Sequence, residues 1–362
     1  MLLNDSDTNI LSPEIRTYFS EVHYDIRDEA LRDFIKAYTT QLKLVREGKK
    51  HHFAMKFRLR KNCIQESIVI NHKHLRRNDE GKWSCFPRIW EKEILDTFDE
   101  ELPESINHDC RLIMTKDNKF YLAVPMDVPV TPKILQYNAI SLDPGVRIFQ
   151  TTYDTMGSSY TIGEDDANGL DKLGRISSRM RAGMKREWIN GVATYREAKN
   201  KRERKGLKRA ANKIEMKIKN KISDIHRKTA KFLCKKYDTV MIPEFKVQQM
   251  TKKKENGEWK RKIGKETARK MIRWGHYKFR ELLRNKGETN GTNVVIGTEE
   301  WTSKTCGNCM WINKELKGEK ELICSHCGMK VHRDIGAARN ILMLNWERSG
   351  LEERKIRLVI KK

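Results

Sequence analysis

Four cysteines and three carboxylates carry the chemistry open to this sequence. Cys306 and Cys309 form one C-x2-C pair, Cys324 and Cys327 form another, and fourteen residues separate the pairs. Each tight turn aims two sulfurs at one point, so together the pairs can supply four thiolates to one tetrahedral Zn²⁺. Two disulfides are the competing arrangement. Gly307 and Gly328 lie within and just after the knuckles, as a chain bending round a metal requires. His326 sits inside the second knuckle, but four thiolates already close a structural site.

Asp334 stands seven residues past Cys327, where a helix is predicted over 335–342. It can be an N-cap or part of a site. Asp143 closes a short apolar strand over 137–142 in the run Asp-Pro-Gly, and Glu244 follows a strand over 238–242 in the run Pro-Glu-Phe. Alone, each has a plain reading as turn, loop or cap. Their order adds weight. Three strands, a helix, a strand, a helix, a strand and a closing helix make the RNase H-type α/β plan. There, acids at strand ends and on the last helix converge on two divalent ions about 4 Å apart that serve phosphodiester hydrolysis. Carboxylate oxygens suit Mg²⁺, a hard cation that keeps several waters.

Other elements must position these groups. Residues 12–47 read as helical, with Ser12-Pro13 and Asp25 as start signals and an apolar stripe from Ile26 to Val45. Phe53, Met55, Phe57 and Leu59 alternate with Ala54, Lys56, Arg58 and Arg60, a half-buried strand with a basic outer face. A hairpin is predicted over 111–124, so residues 51–130 form a small, mostly β domain. A long helical region is predicted over 170–236. Its basic middle, Lys199, Lys201, Arg202, Arg204, Lys205, Lys208 and Arg209, either grips phosphates or forms a solvated helix face. A helix from Glu266 is expected to pack through Ile272, Phe279 and Leu283, with Trp274, His276 and Tyr277 read as core or as base-stacking groups. Cys63, Cys85, Cys110 and Cys234 read as small core residues.

The chain has 362 residues, 74 lysines and arginines against 49 aspartates and glutamates, and a formal net charge of +25. An excess that large calls for a polyanion, and nucleic acid leads. No apolar run reaches the length of a membrane span, and MLLNDSDTNIL does not resemble a secretory signal. Membrane partnership is therefore not expected. Cysteine usage points inside the cell, in the nucleus of a eukaryotic host or otherwise the cytoplasm.

SLDPGVRIFQTTYD (141–154), YDTVMIPEFKVQQM (237–250), KETARKMIRWGHYKFRELLRNKG (265–287) and EEWTSKTCGNCM through CSHCGMKVHRDIGAARNIL (299–342) resemble TnpB, the transposon-encoded RNA-guided nuclease, and its viral and eukaryotic relatives, the Fanzors. Both are kin of type V CRISPR effectors. The resemblance implies an α/β, RNase H-like (RuvC) nuclease domain over 136–300, with a zinc ribbon inserted at 301–331 and a final RuvC segment at 332–346. It further implies a helical recognition lobe over 1–50, shortened at its start, a β-barrel-like wedge domain over 51–135, and a charged tail over 347–362. Asp143, Glu244 and Asp334 would be the catalytic ligands of two Mg²⁺ ions, and Cys306, Cys309, Cys324 and Cys327 the ligands of one Zn²⁺. The partners would be a guide RNA and a target DNA bearing a short flanking motif. His332 and Gly336 stand where the family usually has Asp and Asn. Two alternatives remain: a guide-independent, transposon-linked endonuclease, and an inactive zinc-ribbon regulator that binds nucleic acid.

Overall fold

The computed structural model describes residues 13, 17, 21–55, 65–86, 100–130, 133, 138–251, 254–255, 258–259, 263–315 and 319–349. Lys56, Arg58, Arg60 and Cys63 lie outside them, as does most of the tail. The chain divides into two compact units, Met1–Asp127 and Val128–Lys362.

In the first unit, helix α1 (Tyr24–Arg46) is followed by strands β1 (Gln65–Ile70), β2 (Leu75–Arg77), β3 (Trp83–Cys85), β4 (Cys110–Thr115) and β5 (Phe120–Ala123). The predicted hairpin is β4–β5, turning at Asn118, and β1 pairs with β4 on its other side. With the β2–β3 ribbon these strands make two open sheets among the described residues, where a barrel was expected. Ile70, Leu75, Phe86, Cys85 and Cys110 fill the core between them. The start of α1 is fastened to this sheet by charge. Asp25 accepts hydrogen bonds from His74 and, at 2.9 Å, from Lys73, while the Asp25 amide donates to His23 Nδ1 at 3.2 Å.

The second unit is built on a five-stranded sheet. Its strands are β6 (Ala139–Pro144), β7 (Gln150–Asp154), β8 (Ser159–Ile162), β11 (Thr239–Pro243) and β12 (Asn293–Gly297). They lie in the order β12-β11-β6-β7-β8, with β12, β11 and β6 parallel and β7 antiparallel to its neighbours. Between β8 and β11 come helix α2 (Glu164–Arg181), a hairpin of β9 (Met184–Ile189) and β10 (Val192–Glu197), and the 36-residue helix α3 (Lys201–Lys236). The continuous helix predicted over 170–236 is thus interrupted. Asn190-Gly191 takes positive φ at both positions, the geometry of a tight hairpin turn, and reverses the chain there.

Helices α4 (Lys265–Trp274) and α5 (His276–Asn290) replace the single helix predicted from Glu266. Gly275 at φ +64° breaks it, and Ile272 of α4 lies out in solvent, 60% exposed. Trp274, His276, Phe279 and Leu283 stay in the core.

Strand alternation separates two faces. Ile140, Leu142, Val240 and Ile242 pack with Leu170, Ile222, Leu233, Phe279 and Leu283 from α2, α3 and α5. Ala139, Met241 and Val295 face Leu342 of the last helix, α6 (Arg333–Leu344). Among the described residues, no helix is long and apolar enough to cross a membrane.

Candidate functional site

The two faces decide where each acid points. Residues of odd number on β6 look toward α6, and Ser141 Oγ donates to the Ala338 carbonyl of that helix at 2.6 Å. Asp143, two residues further along, therefore emerges on the α6 side, where Asp334 occupies the first helical turn. The turn behind Asp143 is held firmly. Trp274 Nε1 donates to the Val146 carbonyl at 3.0 Å, and a Cβ on Gly145 would sit 2.5 Å from the Ile148 carbonyl oxygen.

Glu244 has the other parity. It follows Ile242 onto the α5 side, where its backbone carbonyl accepts from Arg280 of α5. Its carboxylate is 53% exposed and paired with Lys246 at 3.1 Å. It is not among the groups whose charge shifts Asp143. The Asp334 charge acts on Asp143, while Glu244 pairs with Lys246 just past the end of β11.

A third acid stands with Asp143 and Asp334. Glu299 lies two residues past the end of β12, in step with Val295 on the α6 face. Its segment is clamped by Asn345, the C-cap of α6: the Thr298 amide donates to Asn345 Oδ1 at 2.9 Å and Asn345 Nδ2 donates to the Thr298 carbonyl at 3.0 Å. Thr302 Oγ1 closes the following turn on the Glu299 carbonyl at 2.9 Å. The sequence holds the signal for this residue, since counting by twos along β6, β11 and β12 from the α6 face gives Asp143, Pro243 and Glu299.

The electrostatics agree with that geometry. Burial, together with the charges of Asp334 and Glu299, pushes Asp143 up to about 8, against an opposing pull from Arg333. Burial alone raises Glu299 to about 7. Arg333 lies 3.3 Å from Asp334 Oδ1. Carboxylates that retain protons near neutrality are short of positive charge, and a divalent cation bound by their oxygens supplies it. Asp143, Glu299 and Asp334 fit such an ion in ligand type, although their carboxylate oxygens do not all lie within 4.8 Å of one another as the cysteine sulfurs do.

Sulfur geometry fits zinc equally well. The four cysteine sulfurs all lie within 4.8 Å of one another, and Cys306–Cys327 and Cys309–Cys324 are each 3.6 Å apart. A disulfide would need about 2.05 Å. Four ligands at about 2.3 Å around one Zn²⁺ stand about 3.8 Å apart. The Asn308 amide and side chain point at Cys306 and Cys327, at 3.5 and 3.7 Å. His326 stacks on Trp311 and takes no part in the cluster.

This cysteine segment is joined directly to the acids. Strand β13 (Glu321–Ile323) pairs with β14 (Lys330–His332), whose last residue is the N-cap of α6. Arg339 Nη1 donates to the Gly307 carbonyl at 2.7 Å, and Asn340 Nδ2 donates to the Thr302 and Thr305 carbonyls at 2.8 Å each. A Cβ at Gly336 would lie 3.3 Å from Val331 Cγ1, so the small residue lets α6 pack closely on β14. The basic run at Lys199, Lys201, Arg202, Arg204, Lys205, Lys208 and Arg209 is exposed around the start of α3. Tyr277 is 64% exposed beneath Arg280.

A family model for the Cas12f1-like TNB domain matches residues 276–341, from α5 through the cysteine segment into α6. The TnpB-like protein L770 of Acanthamoeba polyphaga mimivirus is 26% identical over 342 residues, which are 94% of this chain and 60% of that protein. A putative transposase, A625R, of Paramecium bursaria Chlorella virus 1 is 27% identical over 322 residues, 88% of this chain and 67% of that one. A putative RNA-guided DNA endonuclease of Streptomyces pristinaespiralis is 29% identical over 150 residues, 41% of this chain and 34% of its own length. Among solved structures, Cas12f1 bound to sgRNA and target DNA aligns with 94% of this chain and 76% of that one, at 16% identity and a TM-score of 0.44.

The segment that leads into the last helix is thus similar to the Cas12f1-like TNB domain. Over most of its length the chain is similar to TnpB-like proteins of giant viruses. It spans 46% to 60% of the length of the mimivirus TnpB-like relatives.

Proposed function

We propose that this protein is an RNA-guided DNA endonuclease with an RNase H-like (RuvC) centre, in which Asp143, Glu299 and Asp334 hold two catalytic Mg²⁺ ions. The observation that carries the reading is the convergence of these carboxylates on one face of the sheet, where burial and mutual repulsion raise Asp143 and burial raises Glu299. The family match and the name of the Streptomyces relative support the choice of chemistry.

Bound Mg²⁺ would acidify a water and offset charge growing on the scissile phosphodiester. The chain's own groups prepare that step. Asp143 and Glu299 hold their protons until a cation takes their oxygens. Arg333 steadies Asp334 from the neighbouring position. The Asn345 clamp fixes the loop that carries Glu299. Glu244 stands on the rim and enters only by turning away from Lys246. Cys306, Cys309, Cys324 and Cys327 bind one structural Zn²⁺. The basic start of α3 meets phosphates of a guide RNA paired with target DNA, and a short motif flanks the target.

The test is cleavage of guide-matched DNA in Mg²⁺ by protein co-purified with the RNA of its own locus. Asp143→Ala should lose at least about a thousandfold, the rate equivalent of several kcal/mol of metal stabilisation. Cleavage by Asp143→Ala at the wild-type rate would remove the assignment.

A further inference from the structure

The acid centre, the cysteine segment and the core leave the β9–β10 hairpin without a role. It puts large apolar side chains into solvent: Trp188 is 67% exposed, Val192 63%, Ile189 54% and Met184 41%. Its register places Met184, Arg186 and Trp188 on one face and Lys185, Glu187 and Arg196 on the other.

That second face is tied down. Arg196 pairs with Glu187 on the facing strand and, at 3.1 Å, with Glu203 in the first turn of α3. Glu203 Oε2 also accepts from the Lys199 amide at 2.9 Å, and Asn200 caps the same helix through the Glu203 amide. The hairpin is therefore fixed to the helix start, with the Trp188 face turned outward. On that face the Arg186 guanidinium covers the Trp188 ring at 4.8 Å, an arrangement that stiffens the indole.

Its position follows from the helix it rides on. Only Tyr237 and Asp238 link α3 to β11, so the helix ends at the amino edge of the parallel strands and begins toward their carboxyl edge. At 1.5 Å per residue α3 is about 54 Å long, while five strand residues span about 17 Å. Ala211 is its first buried residue. The first ten residues, about 15 Å of helix, therefore carry no fully buried side chain and lie beyond the carboxyl edge of the strands, the edge at which Asp143 and Glu299 emerge. Residues 199–209 at that end carry seven lysines and arginines against one glutamate.

We infer that the hairpin is a docking site for the DNA strand that leads into the acid centre, with Trp188 stacking on an unpaired base while the start of α3 neutralises its phosphates. An exposed aromatic plane beside a dense basic stripe is the arrangement that binds single strands without regard to sequence. DNA is the occupant because the hairpin is fixed to the helix start beyond the edge at which the strand must be cut. This rests on the proposed reading of the acid centre as a DNA-cleaving site.

The experiment uses the full chain in Mg²⁺-free buffer and a fluorescent single-stranded dT 20-mer, with affinity read by anisotropy. Trp188→Ala should weaken binding about 5- to 50-fold, the loss that goes with one base stack, and Trp188→Phe should restore most of it. An unchanged melting temperature in both variants confirms that only the surface was altered. Wild-type affinity in Trp188→Ala overturns the proposal, as does a loss confined to an RNA 20-mer of the same length. Because no step needs metal, a wild-type protein that fails to cleave in Mg²⁺ counts against the acid centre and leaves this measurement standing.

Discussion

Asp25 and Asp143 are both withdrawn from bulk water, yet their acidities move in opposite directions. Around Asp25, burial works to raise the pKa, but hydrogen bonds from His74 and Lys73 overcome it and hold the carboxyl below its usual range. The neighbouring His23 is driven down by burial and by His74, so it stays neutral and caps the helix. Asp25 could share a metal with His23 and His74, but the Lys73 ammonium already fills the place of the cation. Around Asp143 the pull of Arg333 is set against burial and two further carboxylates, and the acid rises to about 8. A self-neutralised cluster fastens a helix. A cluster left short of positive charge is built to receive some.

Replacing the acids one at a time should break this contrast most visibly. Glu299→Gln should cut DNA cleavage about a hundredfold or more and weaken Mn²⁺ binding in parallel, as loss of a direct metal ligand requires. Glu244→Gln should stay within a few-fold of wild type. The reverse ranking, read from cleavage rates and Mn²⁺ titrations side by side, would move the third ligand back to Glu244.

A smaller effect lies in the pH dependence of metal binding. Asp143 near 8 and Glu299 near 7 both carry protons at pH 6, and a cation must displace them. Mn²⁺ affinity should therefore rise about 100- to 1,000-fold between pH 6 and pH 8 and level off above. Without metal, the folded state binds more protons than the unfolded chain between about pH 4 and pH 8, so these groups cost stability as pH rises through that window. A flat Mn²⁺ affinity over the same range would contradict the raised acidities.

The smallest expected change is at the other cluster. Asp25→Asn should lower the melting temperature by a few degrees at pH 7 and leave Mn²⁺ binding untouched. Its folded pKa is depressed, so its contribution is present above the ordinary aspartate range and lost as pH falls through the folded value. The gap between variant and wild type should therefore close on strong acidification. A gap that widens there would place the stabilisation elsewhere.

Much of this was legible in the sequence. The strands of the main sheet follow from short apolar runs, and the cysteine spacing is answered by sulfurs at tetrahedral separations. Asp334 stands close enough to Asp143 for its charge to raise that acid. Glu244 and Glu299 were harder, because a single residue of register moves a side chain to the opposite face of a sheet. Glu244 ends a strand whose α6-facing positions are odd-numbered, so its parity is that of Val240 and Ile242 on the opposite face. The β9–β10 hairpin was hidden by charge. Lys185, Arg186, Glu187 and Arg196 dilute the alternation of its strands, and only Asn190-Gly191 marked the turn. Gly275 breaks the phase between α4 and α5, so Ile272 of α4 does not share the buried face of Phe279 and Leu283.

The junction of β14 with α6 has a consequence for how this sequence can vary. His332 ends the strand and caps the helix, and Asp334 is two residues on, so no slack separates the second knuckle from the acid. One residue inserted there would swing the carboxylate by about 100° round the helix axis and carry it off the site. The fourteen residues between the two knuckles are under no such rule and can lengthen or shorten without moving Asp334. In related chains, then, the interval from the last cysteine to this aspartate should behave as a ruler of fixed length, and the interval between the knuckles as the part that drifts.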